Sequence, residues 1–242
     1  MKPTVLVTGA SSGIGEAIAL EFAKKDCNLV IASRSNTSGL ARVRDTIQTL
    51  GCDCLAIQGD VSDPEFCQTL CQHAVSRFGA VDCLINNAGI SHIGLFQDMT
   101  PDQWDRLLKV NLYSVIQMSH AVLPSMLRRH SGSILNISSV WGTVGASCEV
   151  VYSASKGAVN SFTKALAKEL APSGIRVNAI ACGAIDTTMN AWLDAQEHQQ
   201  LLDEIPAGRM GRSDEAAMLA YQLFEGPQYL TGQVITLDGG WT

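Results

Sequence analysis

The stretch Thr4-Val5-Leu6-Val7-Thr8-Gly9-Ala10-Ser11-Ser12-Gly13-Ile14-Gly15 decides the fold of this chain. A short apolar strand leads directly into a glycine-rich turn, and an amphipathic run from Glu16 to Lys25 follows. Glycine permits a tight turn and lets backbone amides approach an anion at the positive end of a helix. The spacing differs from the general Gly-x-Gly-x-x-Gly fingerprint, and taken alone the motif could be an ordinary turn that binds no ligand. Its position between the first strand and the first helix favours a pyrophosphate site formed by Gly9, Ser11, Ser12, Gly13, Ile14 and Gly15.

The rest of the chain repeats this alternation of strand and helix. It predicts an α/β fold, a single-domain Rossmann-type doubly wound sheet of about seven parallel strands with helices on both faces. No linker or internal repeat interrupts the alternation, so residues 1–242 are predicted to form one domain. The predicted strands are Thr4–Thr8, Asn28–Ser33, Asp53–Gln58, Cys83–Asn86, Ser133–Ser138, Arg176–Ile180 and Val234–Leu237.

Composition narrows the class of protein. With 242 residues and 46% hydrophobic content, the chain can bury one large core. The formal charge of 17 − 23 = −6 gives no reason to expect nucleic acid or an anionic membrane as a partner. No secretory signal precedes the first apolar run, and no run approaches the ~18 residues that span a bilayer. We therefore expect a cytoplasmic protein.

The chain contains eight cysteines. A reducing compartment would keep them as thiols, and a chain of this size needs no disulfides. Cys52 with Cys54, and Cys67 with Cys71, could be metal ligands, but neither spacing forms a convincing zinc knuckle. We expect small buried side chains and no metal site.

Tyr152 and Lys156 lie four residues apart. On a helix, positions i and i+4 share a face, so the lysine ammonium can lie beside the tyrosine hydroxyl. A free tyrosine titrates near pH ~10, and an adjacent cation lowers that pKa toward the range of a general acid. The pair predicts Tyr152 as a proton donor, but the spacing needs partners elsewhere in the chain.

The second predicted strand ends in Ser33 and Arg34. An acidic residue at this point would accept hydrogen bonds from a free ribose 2′-hydroxyl, whereas a small polar residue followed by arginine suits a 2′-phosphate. The pair indicates NADP(H) as the cofactor. The alternative is a solvated surface arginine.

Two more strand ends carry polar residues. Asp60, followed by Val61, could reach the adenine amino group, and the competing role, a helix N-cap before Pro64, is better filled by Asp63. The fourth strand runs into Asn86-Asn87-Ala88-Gly89, which suits a backbone close to a ligand or forms a plain turn.

Asn111 interrupts the apolar side of a predicted helix that contains Trp104, Leu107, Leu108, Leu112 and Val115. An unpaired buried amide costs ~1 to 3 kcal/mol, so Asn111 should bind a water or a backbone group. The fifth strand delivers Ser138 and Ser139 to the edge where Tyr152 is expected. A serine hydroxyl there could donate to a substrate oxygen.

In their order along the chain, these motifs resemble the short-chain dehydrogenase/reductase family. The resemblance runs from the first strand to Gly239-Gly240. Within the family, the chain is most similar to the 3-oxoacyl-acyl-carrier-protein reductases, through Asp60-Val61, Ala165–Glu169, Ile205–Arg209 and Leu230–Gln233. The segment from Val140 to Glu149 also resembles bacterial reductases of the 5-aminopentanone modification on elongation factor P.

The resemblance implies a role for each site residue. Tyr152 would protonate a ketone oxygen while hydride reaches the carbon, and Ser139 would stabilise the developing charge. Lys156 would hold the nicotinamide ribose and lower the tyrosine pKa, and Asn111 would position a water that relays protons to Lys156. Further cofactor contacts are implied for Asn87, Ala88, Gly89, Gly183, Ile185 and Thr187.

Two positions depart from the family pattern. Cys182-Gly183 replaces the usual Pro-Gly, which removes a fixed φ and leaves a thiol near the nicotinamide pocket, either reactive or a buried spectator. Ser12 stands where carrier-protein reductases often have a basic residue. Selectivity for the 2′-phosphate would then rest mainly on Arg34.

A substrate lid is expected at about residues 187–211. Between Met189 and Met210, apolar residues recur at helical spacing, which is also typical of an ordinary amphipathic helix, and His198 should face solvent. The apolar residues are Trp192, Leu193, Leu201, Leu202 and Ile205.

The expected substrate is a small-molecule or carrier-bound ketone. An acidic carrier protein or elongation factor could dock on Arg128, Arg129 and His130, although this basic patch also suits a helix C-terminus. The resemblance implies a homotetramer, with the apolar carboxyl end as a contact. The favoured function is an NADPH-dependent carbonyl reductase. Its rivals are an NAD-dependent alcohol dehydrogenase and a non-catalytic nucleotide-binding scaffold, which should have lost Tyr152 or Lys156.

Overall fold

Seven strands form one parallel sheet in the computed structural model, which describes residues 2–190 and 194–242. In chain order the strands are β1 (Thr4–Thr8), β2 (Asn28–Ser33), β3 (Cys54–Gln58), β4 (Cys83–Asn86), β5 (Gly132–Ser139), β6 (Ile175–Cys182) and β7 (Val234–Leu237). Their order across the sheet is β3-β2-β1-β4-β5-β6-β7. The direction of winding reverses between β1 and β4, and ligands of open α/β sheets bind at such a point.

Helices cover both faces of the sheet. They are α1 (Gly13–Lys24), α2 (Thr37–Thr49), α3 (Pro64–Phe78), α4 (Pro101–Leu108), α5 (Ser114–Arg129), α6 (Trp141–Val144), α7 (Val150–Leu170), α8 (Ala195–Glu204) and α9 (Ser213–Glu225). The predicted fold class is therefore confirmed.

Successive side chains of each strand point to opposite faces of the sheet, so they pack into two separate cores. In β1, Val5 and Val7 face the core beneath α1, α2 and α9, whereas Leu6 faces the core beneath α3, α5 and α7. All five residues of β1 are buried. This two-sided burial explains why the strands read as continuous apolar runs.

Four strands have the predicted bounds, and three differ. β3 begins one residue later than predicted, at Cys54. β5 and β6 are longer than predicted because they pair with each other from Gly132 and Ile175 to Ser139 and Cys182. Backbone pairing with a neighbour sets these ends, and the apolar pattern alone does not report it.

Buried amides and hydroxyls fasten the centre of the sheet to its helices. Asn86 Nδ2 on β4 donates to Asn136 Oδ1 on β5 at 2.9 Å, and to Ser119 Oγ on α5 at 3.2 Å. Asn136 Nδ2 donates to Thr163 Oγ1 on α7 at 2.8 Å. Each amide satisfies a partner away from water, so the network aligns β4, β5 and α7 beneath the carboxyl edge.

Candidate active site

A cavity of about 870 Å³ opens at the carboxyl ends of β1, β4, β5 and β6. Most of the predicted site residues line it. They are Gly9, Ser11, Ser12, Gly13, Ile14, Gly15, Asn87, Ala88, Gly89, Ser139, Tyr152, Lys156, Gly183, Ile185 and Thr187. The predicted residues Ser33, Arg34, Asp60, Val61 and Asn111 lie outside this lining.

The glycine turn leaves no room for side chains. Gly9 and Gly13 have φ of +67° and +57°, in the left-handed region that favours glycine. At Gly15, a Cβ would lie 2.4 Å from the carbonyl oxygen of Gly9 and 2.3 Å from Asn87 Nδ2. Ser12 precedes α1 in extended conformation and makes no side-chain cap. The first amides of α1 therefore face the cavity, as a pyrophosphate requires.

Asn87 and Thr8 lock this turn to β4. Asn87 Nδ2 donates to the carbonyl oxygens of Thr8 and Gly9 at 2.9 and 3.1 Å. Thr8 Oγ1 accepts from the backbone N–H groups of Asn87 and Ala88 at 3.0 and 3.1 Å. The two loops that would hold a dinucleotide are thus a single rigid unit.

Helix α7 brings Tyr152 and Lys156 to the cavity on successive turns, as the sequence predicted. Lys156 is 5% exposed, and its Nζ donates to the carbonyl oxygen of Ile137 at 2.9 Å. The same Nζ lies 5.7 Å from the centroid of the Tyr152 ring. Ser139, at the end of β5, faces Tyr152 and accepts from the backbone N–H of Trp141 at 3.2 Å. The structure therefore brings the predicted acid, ammonium and hydroxyl together.

The pKa values differ from the sequence-based expectation. Burial raises the pKa of Tyr152 above its ordinary value; the Ser139 hydroxyl opposes this shift, and Glu149 adds to it. Burial also lowers the pKa of Lys156 to about 8. The net shift of the Tyr152 pKa is upward because burial of the hydroxyl outweighs the hydrogen bond with Ser139.

Asn111 lies behind the cavity wall, in a π-helical turn (Lys109–Tyr113) between α4 and α5. Its Oδ1 accepts from the backbone N–H of Ile90, and its Nδ2 donates to the Ile90 carbonyl oxygen, both at 2.8 Å. Nδ2 also donates to Ser155 Oγ at 3.3 Å. The predicted backbone partner is confirmed. The extra residue of a π-turn, which the sequence did not indicate, carries the amide.

Arg34 and Asp60 lie near the ends of β2 and β3. Asp60 Oδ2 accepts from Arg106 at 2.9 Å, whereas Arg34 stands 3.9 Å away and its side chain is 54% exposed. Asp60 Oδ1 also accepts from the backbone and hydroxyl of Ser62. Because Arg106 takes the carboxylate, Arg34 keeps its guanidinium available to an anion. Arg106 was not identified from the sequence.

The structure also shows where the other residues predicted for this end of the site lie. Ser33 Oγ donates to Ser11 Oγ at 2.8 Å, which ties β2 to the glycine turn. Asp63 caps α3 by accepting from the backbone N–H of Glu65 at 3.0 Å, as predicted. Val61 is buried in the core.

The loop after β6 forms the far wall. Thr187 lies against the glycine turn, since a Cβ on Gly13 would lie 3.3 Å from Thr187 Cγ2. Gly183 has no space for a side chain, since its Cβ would lie 2.7 Å from Asp238 Cβ. Cys182 is buried, and burial raises the pKa of its thiol to about 12. The thiol therefore stays protonated at neutral pH.

The expected lid corresponds in part to α8. Leu201 and Glu204 line the cavity, and Ile205 is buried. His198 is exposed, as predicted. Trp192 and Leu193 lie outside the described residues.

The basic patch is far from the cavity. Arg129 and His130 precede β5 at the amino edge of the sheet, opposite the edge where Ser139 lies. Arg129 bonds to Asp82 at 2.5 Å and to the carbonyl oxygen of Val81 at 2.7 Å. The Arg129 guanidinium therefore joins the end of α5 to the segment before β4, and docking of a carrier protein on the patch stays a prediction.

The other thiols fit the expectation of buried side chains. All eight cysteines are described, each is free, and six are buried. None of the helices in residues 2–190 and 194–242 is both long and apolar enough to cross a membrane.

The cavity fits a dinucleotide. The side-chain-free turn, the first amides of α1 and the half-exposed Arg34 outside the lining could hold its phosphates, and Tyr152 and Lys156 lie at the other end of the same space.

Comparison with known proteins agrees with this geometry. The short chain dehydrogenase family matches residues 3–198. An uncharacterized oxidoreductase of Bacillus subtilis, YmfI, is 40% identical over 100% of this chain and 99% of its own length. The 3-oxoacyl-(acyl-carrier-protein) reductase FabG of Staphylococcus aureus is 38% identical over 99% and 98%. A short-chain type dehydrogenase/reductase from Mycobacterium marinum superposes with a TM-score of 0.93 at 32% identity, covering 99% of this chain and 95% of that one. The chain therefore belongs to the short-chain dehydrogenase family of oxidoreductases, which bind a nicotinamide cofactor.

Proposed function

We propose that this protein is an NADPH-dependent reductase that converts a ketone to a secondary alcohol. The observation that carries the proposal is the meeting of Tyr152, Lys156 and Ser139 on one wall of a cavity whose other end is the glycine turn. A proton donor and a hydrogen-bond donor beside a dinucleotide site are what carbonyl reduction needs.

The proposed mechanism assigns one task to each group. The bound nicotinamide would supply the hydride. Tyr152 protonates the ketone oxygen, for which a raised pKa keeps the hydroxyl protonated at neutral pH, and Ser139 donates a hydrogen bond to the same oxygen. Lys156 holds the nicotinamide ribose and stabilises the tyrosinate that forms. Asn111, fixed by Ile90, positions a water that returns a proton through Lys156.

The proposed preference for NADPH rests on Arg34. Its guanidinium is more than half exposed, while Arg106 holds the nearby Asp60 carboxylate. An NAD-dependent alcohol dehydrogenase is disfavoured because no carboxylate follows β2 directly to accept the ribose hydroxyls; Ser33 and Arg34 stand there. A non-catalytic scaffold is disfavoured because Tyr152 and Lys156 are both present.

For the substrate, we propose first a 3-oxoacyl chain on an acyl carrier protein. This assignment is supported by the name of the Staphylococcus aureus relative. A second candidate is the 5-aminopentanone modification on elongation factor P. It is favoured by the Val140–Glu149 segment, six of whose residues line the cavity: Val140, Trp141, Gly145, Ala146, Ser147 and Glu149. In either case the carrier protein or elongation factor would be the partner, and the reaction would take place in the cytoplasm.

Replacing Tyr152 with Phe tests the function. The variant should lose NADPH consumption by at least about 100-fold, because it removes the proton donor. It should still quench or shift NADPH fluorescence on binding, since the glycine turn is intact. Exposed Tyr229 provides the matched control, Tyr229→Phe, which should keep full activity. Unchanged turnover by Tyr152→Phe would refute the mechanism.

Substrate identity is tested by comparing three compounds under the same conditions. An acetoacetyl thioester, a carrier-bound 3-oxoacyl chain and aminopentanone-modified elongation factor P are each incubated with NADPH or NADH. The proposal requires consumption of NADPH with at least one of them. Faster consumption of NADH would favour the alternative cofactor.

A further inference from the structure

The part of the cavity beyond Tyr152 has its own chemistry. We define the distal pocket by Trp141, Glu149, Tyr152, Glu204 and Trp241, all of which line the cavity. None of these residues belongs to the glycine turn or to the loop after β4. If the dinucleotide occupies that end, the distal pocket receives the part of the substrate attached to the ketone carbon.

Glu149 brings a carboxylate to this pocket, where its hydrogen-bond partner is the Trp141 side chain. It occupies the N-cap position of α7, but its side chain makes no cap hydrogen bond. It has no ion-pair partner among residues 2–190 and 194–242. Burial raises the pKa of Glu149, and the Trp141 side chain opposes that shift. A desolvated carboxylate that has no cationic partner is stabilised when a cation binds beside it.

Two indole rings form the adjacent wall. The Trp141 and Trp241 rings meet edge to face, with centroids 4.7 Å apart and planes at 61°. Asp238 holds the Trp241 segment in place by accepting from the backbone N–H groups of Gly240 and Thr242, both at 2.9 Å. Indole faces attract cations more strongly than other aromatic rings, particularly where water is excluded.

The charges around the pocket also favour a cation. Of the described residues that line the cavity, Lys156 is the only lysine or arginine, and it is bonded to the Ile137 carbonyl oxygen on the cofactor side. Glu204 adds a second carboxylate from α8. An anionic substrate group would therefore meet two carboxylates, and a neutral chain would leave the Glu149 charge without a cation.

We infer that the distal pocket selects ketones that carry a positively charged nitrogen, with Glu149 as the specificity-determining residue and the Trp141–Trp241 pair as the wall that the cation contacts. The inference rests on the proposed reductase function and narrows its substrate class. Of the two proposed substrates, it favours the amine-bearing ketone over the acyl thioester.

Three methyl ketones of similar size test the inference. They are trimethyl(4-oxopentyl)ammonium, its neutral isostere with a tert-butyl group, and the carboxylate 5-oxohexanoate. With NADPH and the unmodified protein, kcat/KM should be highest for the ammonium and lowest for the carboxylate. Glu149→Gln, which removes the charge but keeps the shape, should reduce the ammonium-to-neutral ratio by on the order of tenfold.

Matched variants separate this effect from a general change. Glu169 is exposed on α7 and outside the cavity, so Glu169→Gln changes the net charge equally and should leave the ratio unchanged. Trp241→Leu should lower the ratio several-fold while retaining binding of the neutral ketone. NADPH binding by every variant, followed by fluorescence, verifies folding.

The same order is measured without catalysis in the Tyr152→Phe protein with NADPH bound. The ammonium ketone should bind most tightly, the neutral ketone less tightly and the carboxylate least tightly. The additional Glu149→Gln change should remove the difference in affinity between the ammonium and neutral ketones. Equal affinities for ammonium and neutral ketones would overturn the inference, whatever the turnover. Correct binding order without NADPH consumption by the unmodified protein would instead contradict the proposed function.

Discussion

At the scale of single residues, burial controls the chemistry of this site. Tyr152, Lys156 and Cys182 all line the cavity. Burial favours the neutral form of each group, so it raises the pKa of the tyrosine and of the cysteine and lowers the pKa of the lysine. The site therefore holds a protonated phenol, an amine whose pKa is lowered to about 8 and a protonated thiol. A charge introduced beside them, by a cofactor phosphate or by a substrate, acts in a low-dielectric setting where it has a large effect.

Lys156 should leave a signature in the pH dependence of stability. Its pKa is lowered to about 8, against about 10.4 in an unfolded chain, so the unfolded state binds more protons between these values. Stability contributed by this residue therefore rises with pH across that window and is lost as pH falls toward 8. From about pH 7.5 to about pH 10, urea unfolding should show wild type gaining about 2 kcal/mol relative to Lys156→Met.

Lys164 provides the control for that comparison. It is exposed on the same helix, so Lys164→Met should unfold in parallel with the wild type at both pH values. A constant free-energy difference between wild type and Lys156→Met would contradict the burial of a titrating amine.

Arg34 should set cofactor selectivity. Arg34→Ala should weaken NADPH binding by on the order of tenfold and leave NADH binding nearly unchanged, because only NADPH has the 2′-phosphate. Fluorescence titration with both cofactors measures this. Arg44→Ala changes a partly exposed arginine of α2 that pairs with Asp45, and it should alter neither affinity. Equal losses for both cofactors would mean that Arg34 contacts no 2′-phosphate.

At the scale of elements, turns position the groups that helices and strands carry. The glycine turn after β1 and the loop after β4 are joined through Thr8 and Asn87, so the two loops at the cofactor end are hydrogen-bonded to each other. The π-turn between α4 and α5 places Asn111 where its amide meets the backbone of Ile90. Neither link depends on a long side chain, and therefore neither loses much conformational entropy on forming.

Asn111 should be important for stability independently of catalysis. Asn111→Leu keeps the volume but leaves the N–H and C=O of Ile90 without their partner, which should cost about 2 kcal/mol in the free energy of unfolding. Urea unfolding without cofactor measures the loss. His120→Ala, on the exposed face of α5, should change stability little. An equally stable Asn111→Leu protein would show that water replaces the amide fully.

At the scale of the whole molecule, the sheet ends in a strand that pairs on one side only. β7 neighbours β6 and has no second strand among the described residues, and Thr236 on it is exposed. An uncovered edge strand favours association with another chain. This edge supports the proposal that the protein is a homotetramer joined through its carboxyl-terminal part.

Light scattering after size exclusion tests the assembly. A homotetramer should have a mass of about 103 kDa, four times the 25.8 kDa of one chain. Thr236→Lys places a charge on the edge and should shift the mass downward. Gln233→Lys, on the exposed approach to β7, is the matched control and should shift it less. A monomer at micromolar concentration would refute the proposal.

The sequence by itself determined the fold class, four of the seven strands to the residue, and most of the cavity wall. Apolar runs, glycine spacing and the i, i+4 pair are local features, and local geometry carries them into the structure. Asn87, Ser139 and Thr187 reach the cavity because parallel strands present their carboxyl ends at one edge.

Only the tertiary structure decided what depends on contacts between distant segments. The partnership of Arg106 with Asp60, the contact of Asn111 with Ile90 and the indole pair of Trp141 and Trp241 join residues far apart in the chain. The direction of the Tyr152 pKa shift also depended on burial, which the residues next to it in the sequence do not reveal. Spacing predicts which side chains share an element, whereas desolvation and pairing arise when elements pack together.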